Sequence, residues 1–218
     1  MLPAAWGAAA SLAVPFSAGS GAGGVYAVAS CGAGFVFFGM VWCFLPRPVR
    51  AYVFAHELSH AVAGIICGAK IGRMKVSSSG GSVQVSKSNF FITLAPYFFP
   101  LYAAVLAAAA VATRLAAGEL PFVPAWLFAA GFLWGFHACF TFSALRTRQP
   151  DIEEYGKTLS WTFIFTANAL LLAFSLSAAA SMPLRATARA AVSASAEAYS
   201  AIWRVCRGLA AEAYASFR

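Results

Sequence analysis

The stretch VYAVASCGAGFVFFGMVWCFLP, residues 25–46, carries no charged side chain. It is long enough to cross the hydrocarbon core of a bilayer, which is about 30 Å thick. Comparable apolar stretches return at 51–69, 89–115, 123–145 and 158–180. A chain built this way has few folding options. In hydrocarbon, every backbone N–H and C=O must find its partner within the segment, so spans of this kind are helices. Only 10% of the 218 residues are charged and the mean hydropathy is +0.75. Ordinary soluble domains are about a quarter charged, so this chain has too few charges to cover a water-facing surface.

We therefore expect an all-α polytopic membrane protein with about five transmembrane helices. The polar stretch KIGRMKVSSSGGSVQVSKS, residues 70–88, interrupts the series between the second and third spans. It alternates around Gly80-Gly81, which is a hairpin signal. Pro96 and Pro100 should bend or break the third span. Residues 1–17 are apolar but contain Pro3 and Pro15, and SAGSGAGG follows as a flexible stretch. This segment reads as interfacial or as a short extra span. In the tail, Tyr199, Ile202, Trp203, Cys206 and Leu209 recur at helical spacing, with Arg204, Arg207 and Glu212 mostly elsewhere on the wheel. That pattern suits an amphipathic helix on the membrane surface or packed on the spans. The expected organisation is an N-terminal segment 1–24, a membrane-embedded core 25–180 and an amphipathic C-terminal helix 181–218.

The net charge of +8 has its Lys and Arg between apolar runs and in the tail. Anionic lipid headgroups account for this better than nucleic acid, because no basic patch is interleaved with base-stacking aromatics. Counting Lys and Arg by loop favours a cytoplasmic hairpin and an interior N-terminus. The first basic residue is Arg47, so no basic n-region precedes the first apolar stretch, and a cleaved signal peptide is not expected. Five scattered cysteines without paired spacing argue against a disulfide framework.

Within the second apolar stretch stands FAHELSHAV, residues 54–62. On a helix, positions i and i+4 share a face, so His56 and His60 point the same way. Two neutral imidazoles one turn apart can hold one Zn²⁺ ion. Glu57 lies close enough to act on a zinc-activated water without being a ligand. With three His and six Glu in the chain, this pattern arises by chance roughly once in a thousand such chains. Ionisable groups in a membrane helix are costly, about 2.5–3.5 kcal/mol for a central Asp on insertion scales, and usually have a function. Both considerations favour a metal site over a structural polar cluster.

The stretch HELSHAVAGIICGAKIGRMKV resembles the start of the site-2-protease class of intramembrane metalloproteases, the M50 peptidases. SSSGGSVQVSKSNFFITLAPYFFP is similar to the bacterial M50B-like branch. The resemblance extends over about residues 50–175. It implies zinc-dependent hydrolysis of membrane-anchored proteins within or beside the bilayer of a bacterial cell membrane. It also implies a hairpin that dips towards the site and pairs with an unwound substrate strand.

A catalytic zinc usually has three protein ligands. The resemblance implies an aspartate from a later segment as the third, and the chain has one aspartate, Asp151. Many relatives follow that aspartate directly with glycine; here Ile152 follows, and Gly156 comes five residues after Asp151. Depth along the spans points elsewhere, because His137 lies at a level matching His60 while Asp151 looks shallower. Asp151 reaches the imidazoles only if its loop or the next span folds inward. Asp151 and the alternative His137 therefore both stand, with Glu153 and Glu154 behind them. Gln149 and Asn168 could orient substrate or ligands, although hydrogen bonding between helices explains them more simply.

The expected activity is zinc-dependent endopeptidase, with Glu57 activating water and His56, His60 and Asp151 holding the metal. A non-catalytic membrane metal-binding scaffold on the same fold is the alternative. A metal transporter would need a polar path across several spans, and the fifth offers only Asn168 and scattered Ser and Thr.

Overall fold

The computed structural model describes residues 1–14 and 21–216. Of the expected flexible stretch 17–24, residues 17–20 lie outside the described residues, as do Pro15 and the last two residues of the tail. The remainder of that stretch, residues 21–24, is already helical. Among the described residues the protein is mostly helical, with one two-stranded antiparallel sheet. The helices are α1 (Leu2–Ser11), α2 (Gly21–Phe44), α3 (Val49–Ile66), α4 (Phe90–Phe98), α5 (Leu101–Ala117), α6 (Val123–Leu145), α7 (Pro150–Glu154), α8 (Lys157–Ala179) and α9 (Leu184–Ser216), with β1 (Ile71–Val76) and β2 (Gly81–Val85) between α3 and α4. Two compact units result: residues 25–164, and residues 1–24 with 165–218.

Among the described residues, three helices are long and apolar enough to cross a membrane: Ala22–Phe44 of α2, α6 and α8. A fourth span follows if α4 and α5, bent by 76°, count as one. The sequence suggested five. The difference is α3, whose 18 residues include Arg50, His56, Glu57 and His60. These side chains dilute its apolar character below that of a self-sufficient span.

In the unit 25–164, glycines let α2 and α6 approach closely. A Cβ on Gly34 would strike the Phe128 carbonyl, and one on Gly131 would strike that of Cys31. Small residues serve this purpose between helices in lipid, where there is no hydrophobic drive to associate. Beside this contact Phe38, Phe136 and Phe140 form an aromatic core with Trp42, Tyr52, Tyr102 and Phe132. Pro46 and Pro48 separate α2 from α3, Pro48 standing at the N-cap of α3. The Tyr102 hydroxyl donates to the Ala51 carbonyl at 2.8 Å and ties α5 to α3. Outward-facing Phe35, Val36, Phe37, Met40 and Phe44 are exposed on α2, as a lipid-facing surface requires.

The hairpin forms where alternation suggested it, and its strands pack on α3. Met74 pairs with Val83, Lys75 with Ser82, and Val76 with Gly81. The turn is centred on Ser78-Ser79, two residues before the expected Gly80-Gly81. Ser77 N–H donates to the Gly80 carbonyl at 2.9 Å, Gly80 takes φ 148°, and Gly81 already belongs to β2. The Asn89 side chain caps α4, accepting from Phe91 and Ile92 N–H at 3.0 Å each. The bend falls at Phe99-Pro100, with Pro100 capping α5, while Pro96 is accommodated inside α4.

In the other unit, α1 packs on α9. Pro3 starts α1 in its first turn, where its missing N–H costs nothing. A Cβ on Gly7 would meet Ser195 and Ala191 of α9. The Thr187 hydroxyl donates to that of Ser177 at 2.7 Å, joining α9 to α8.

Candidate metal centre

Helix α3 places His56 and His60 one turn apart, with Nε2 of one ring 3.3 Å from Nε2 of the other. The Asp151 Oδ2 lies 3.5 Å from each of those nitrogens. Among the described residues, these three form the group of His, Cys, Asp or Glu side chains close enough to hold a metal ion.

Asp151 arrives there because its neighbour is apolar. Ile152 is 3% exposed and packs with Leu94, Tyr97, Ala144 and Ile164. The Ser160 hydroxyl donates to the Ile152 carbonyl at 3.1 Å. Burying Ile152 draws α7 inward, and Asp151 is carried into the site. The residue that departs from the Asp-Gly pattern is therefore the anchor of the loop.

Outer partners orient all three groups. The Ile92 carbonyl lies 2.8 Å from His60 Nδ1. A carbonyl only accepts, so Nδ1 carries the hydrogen and Nε2 of neutral His60 presents its lone pair to the site. The Tyr52 hydroxyl is 3.4 Å from His56 Nδ1, and its ring stacks on Phe140 at 4.5 Å. Tyr97, fully buried, donates to Asp151 Oδ2 at 3.0 Å and sets its ring edge against His56. Burial would raise the Asp151 carboxyl, but the adjoining His56 and His60 rings and the Tyr97 hydroxyl outweigh it and hold the group well below the usual carboxylate range. Sequence reasoning did not find Tyr52, Tyr97 or the Ile92 carbonyl. Tyr52, four residues before His56 on the same helix face, was the one with a local signal.

Glu57 is 7% exposed and lines the same cavity of about 590 Å³ as the trio. The hairpin closes over it: a Cβ on Gly81 would lie 2.6 Å from Val53 Cγ1 and 2.7 Å from Glu57 Cγ. Ser88, Thr93, Gln149 and Glu154 also line the cavity, and among the described residues no Lys or Arg does. Glu154 accepts from the Thr93 hydroxyl at 3.5 Å. Glu153 turns instead to Arg148 and Lys157. His137 sits on α6 with its ring 6.0 Å from that of Trp134 and is not among the converging atoms. It lines a separate cavity of about 20 Å³ with Ser59 and Pro96. Asn168 falls in the other compact unit.

The donor set fits zinc. Tetrahedral ligands at bond lengths of about 2.0–2.2 Å lie about 3.3–3.6 Å from one another, and the three donor atoms here are separated by 3.3, 3.5 and 3.5 Å. Two imidazole nitrogens with one carboxylate oxygen would supply the three protein ligands of a catalytic zinc site.

The model of the Peptidase M50B-like family matches residues 27–145, more than half of the chain, and includes α3 with the hairpin; Asp151 lies just beyond. No curated protein and no solved structure matches the chain. With this match and an HELSH helix whose imidazoles converge, the chain belongs to the M50B-like peptidases, a family of membrane-embedded peptidases.

Proposed function

We propose that the protein is a zinc-dependent endopeptidase that hydrolyses peptide bonds of membrane-anchored proteins within a bacterial cell membrane. The observation that carries this reading is the convergence of His56, His60 and Asp151 on one point, with the Glu57 carboxylate in the wall of the same cavity. His56, His60 and Asp151 would hold zinc. When bound there, zinc supplies Lewis acidity that polarises a peptide carbonyl and brings the pKa of water to about 7.

The chain's own residues do the rest. Glu57 accepts a proton from the attacking water as the new C–O bond forms. It then donates that proton to the amide nitrogen as the C–N bond breaks, so a carboxylic acid and an amine leave and Glu57 returns to its starting state. Gly81 packs against its stem and limits its rotation. Tyr97 and the Ile92 carbonyl keep Asp151 and His60 aimed at the site. Gly81, Ser82, Val83 and Val85 of β2 line the cavity, and among the described residues β2 has a strand partner only in β1. An unwound substrate segment would add to that edge, where main-chain hydrogen bonds bind it in extended form.

The test is cleavage of a single-pass substrate with a destabilised helix in proteoliposomes. Glu57→Gln should slow turnover by about 10²–10⁴-fold at unchanged zinc content. Equal cleavage by wild type and variant would remove Glu57 from the mechanism, and purified protein without zinc would remove the metal.

A further inference from the structure

Outside the metal centre, a cavity of about 360 Å³ opens where α6 ends and α8 begins. Arg146, Arg148 and Lys157 line it, with Glu153 as the acid among its lining residues. Glu153 accepts from Arg148 Nε and Nη2 at 3.2 and 3.3 Å and lies 3.6 Å from Lys157 Nζ. One carboxylate thus serves two cations. Arg146, its guanidinium over the Phe142 ring at 5.6 Å, adds a third. Three cations against one acid leave the cavity at +2.

The unsatisfied capacity faces outward. Arg148 and Lys157 are 87% and 64% exposed. A guanidinium has five N–H donors, of which Glu153 takes two. Its planar fork matches phosphate oxygens in pairs, and an ammonium beside it adds a point charge. The place is also suited to this ligand. The cavity lies at the ends of two helices apolar enough to span, the level at which headgroups sit, and basic pockets between spans bind anionic headgroups. Trp161, half exposed in the cavity wall, is the amphipathic ring enriched at that level. Asp151 lines the metal cavity while Ile152 and Glu153 line this one, so α7 is the partition between them.

We propose that this cavity binds the phosphate group of an anionic lipid headgroup, with Arg148 as the fork and Arg146 and Lys157 as flanking charges. The site stands independently of the proteolytic reading. The full chain is placed in nanodiscs containing spin-labelled phosphatidylglycerol or spin-labelled phosphatidylcholine, and the immobilised fraction of each is measured. Wild type should immobilise the anionic lipid preferentially. Arg146→Gln with Arg148→Gln should lower that preference roughly tenfold or more, and Arg148→Lys, which keeps the charge and loses the fork, should lower it less. Arg114→Gln, at the last turn of α5, should leave it unchanged. Glycerol 3-phosphate added to the aqueous phase separates the sources: displacement of the label assigns the site to soluble phosphate esters, and no displacement assigns it to the lipid. The phosphate site stands in both cases. Undiminished preference in the double variant, with helicity and monodispersity intact, overturns the proposal. Equal loss in Arg114→Gln overturns it too, since the preference would then arise from diffuse surface charge.

Discussion

The carbonyl oxygen of Ile92 lies 2.8 Å from Nδ1 of His60, so the first turn of α4 sets the tautomer and aim of an imidazole on α3. That turn is itself held by the Asn89 cap. A hydrogen bond at a helix start thus reaches the candidate metal centre through one backbone carbonyl.

Asn89→Ala removes the acceptor for two N–H groups. An N-cap of this type is worth about 1 kcal/mol, and we expect a loss of that size in denaturant midpoint measurements. Zinc affinity should fall as well, because Ile92 is the third residue of the frayed turn. An unchanged affinity would show that the His60 ring is held by other contacts.

Asp151→Asn should weaken zinc binding by more than the roughly 10–100-fold that loss of an outer partner costs. His137→Ala should leave it unchanged. Competition titration with a chromophoric chelator measures both. The reverse result would exchange their roles.

Tyr97→Phe keeps the buried ring and deletes the hydroxyl that donates to Asp151 Oδ2 at 3.0 Å. The expected effect is a roughly 10–100-fold loss of zinc affinity with helicity retained. Full affinity in the variant would make the hydroxyl a bystander.

Gly81→Ala puts a methyl group 2.6 Å from Val53 Cγ1 and 2.9 Å from Glu57 Oε1. Either the hairpin lifts or Glu57 rotates. We expect about 1–3 kcal/mol of destabilisation from overpacking and a larger fall in turnover than in zinc content. Wild-type turnover would show that Glu57 tolerates displacement.

Chelation should abolish turnover reversibly and lower the melting temperature, because an ion that binds only the folded chain stabilises it by mass action. Restoration by zinc, and an unchanged melting temperature in a variant lacking His56 and His60, check the link.

Much of this architecture was legible before any coordinates. The apolar runs at 25–46, 123–145 and 158–180 are helices, because uncharged segments of that length satisfy their backbone in no other way. The pair His56 and His60 shares a face because the helix repeat is local. The hairpin and the bend at Pro100 are equally local, written in alternation and in a missing N–H. The count of five spans was less secure, since α3 mixes apolar residues with Arg50, His56, Glu57 and His60 and depends on its neighbours.

By itself the sequence determined the helical membrane class, the HELSH face and the strand pair, all set by interactions within a few residues. Only the tertiary structure decided which distant side chain meets the imidazoles. Depth along straight spans pointed to His137, but burial of Ile152 against Leu94, Tyr97 and Ile164 pulls α7 inward and brings Asp151 to 3.5 Å from both rings. That outcome depends on a core assembled from α4, α6, α7 and α8, and no local pattern encodes it.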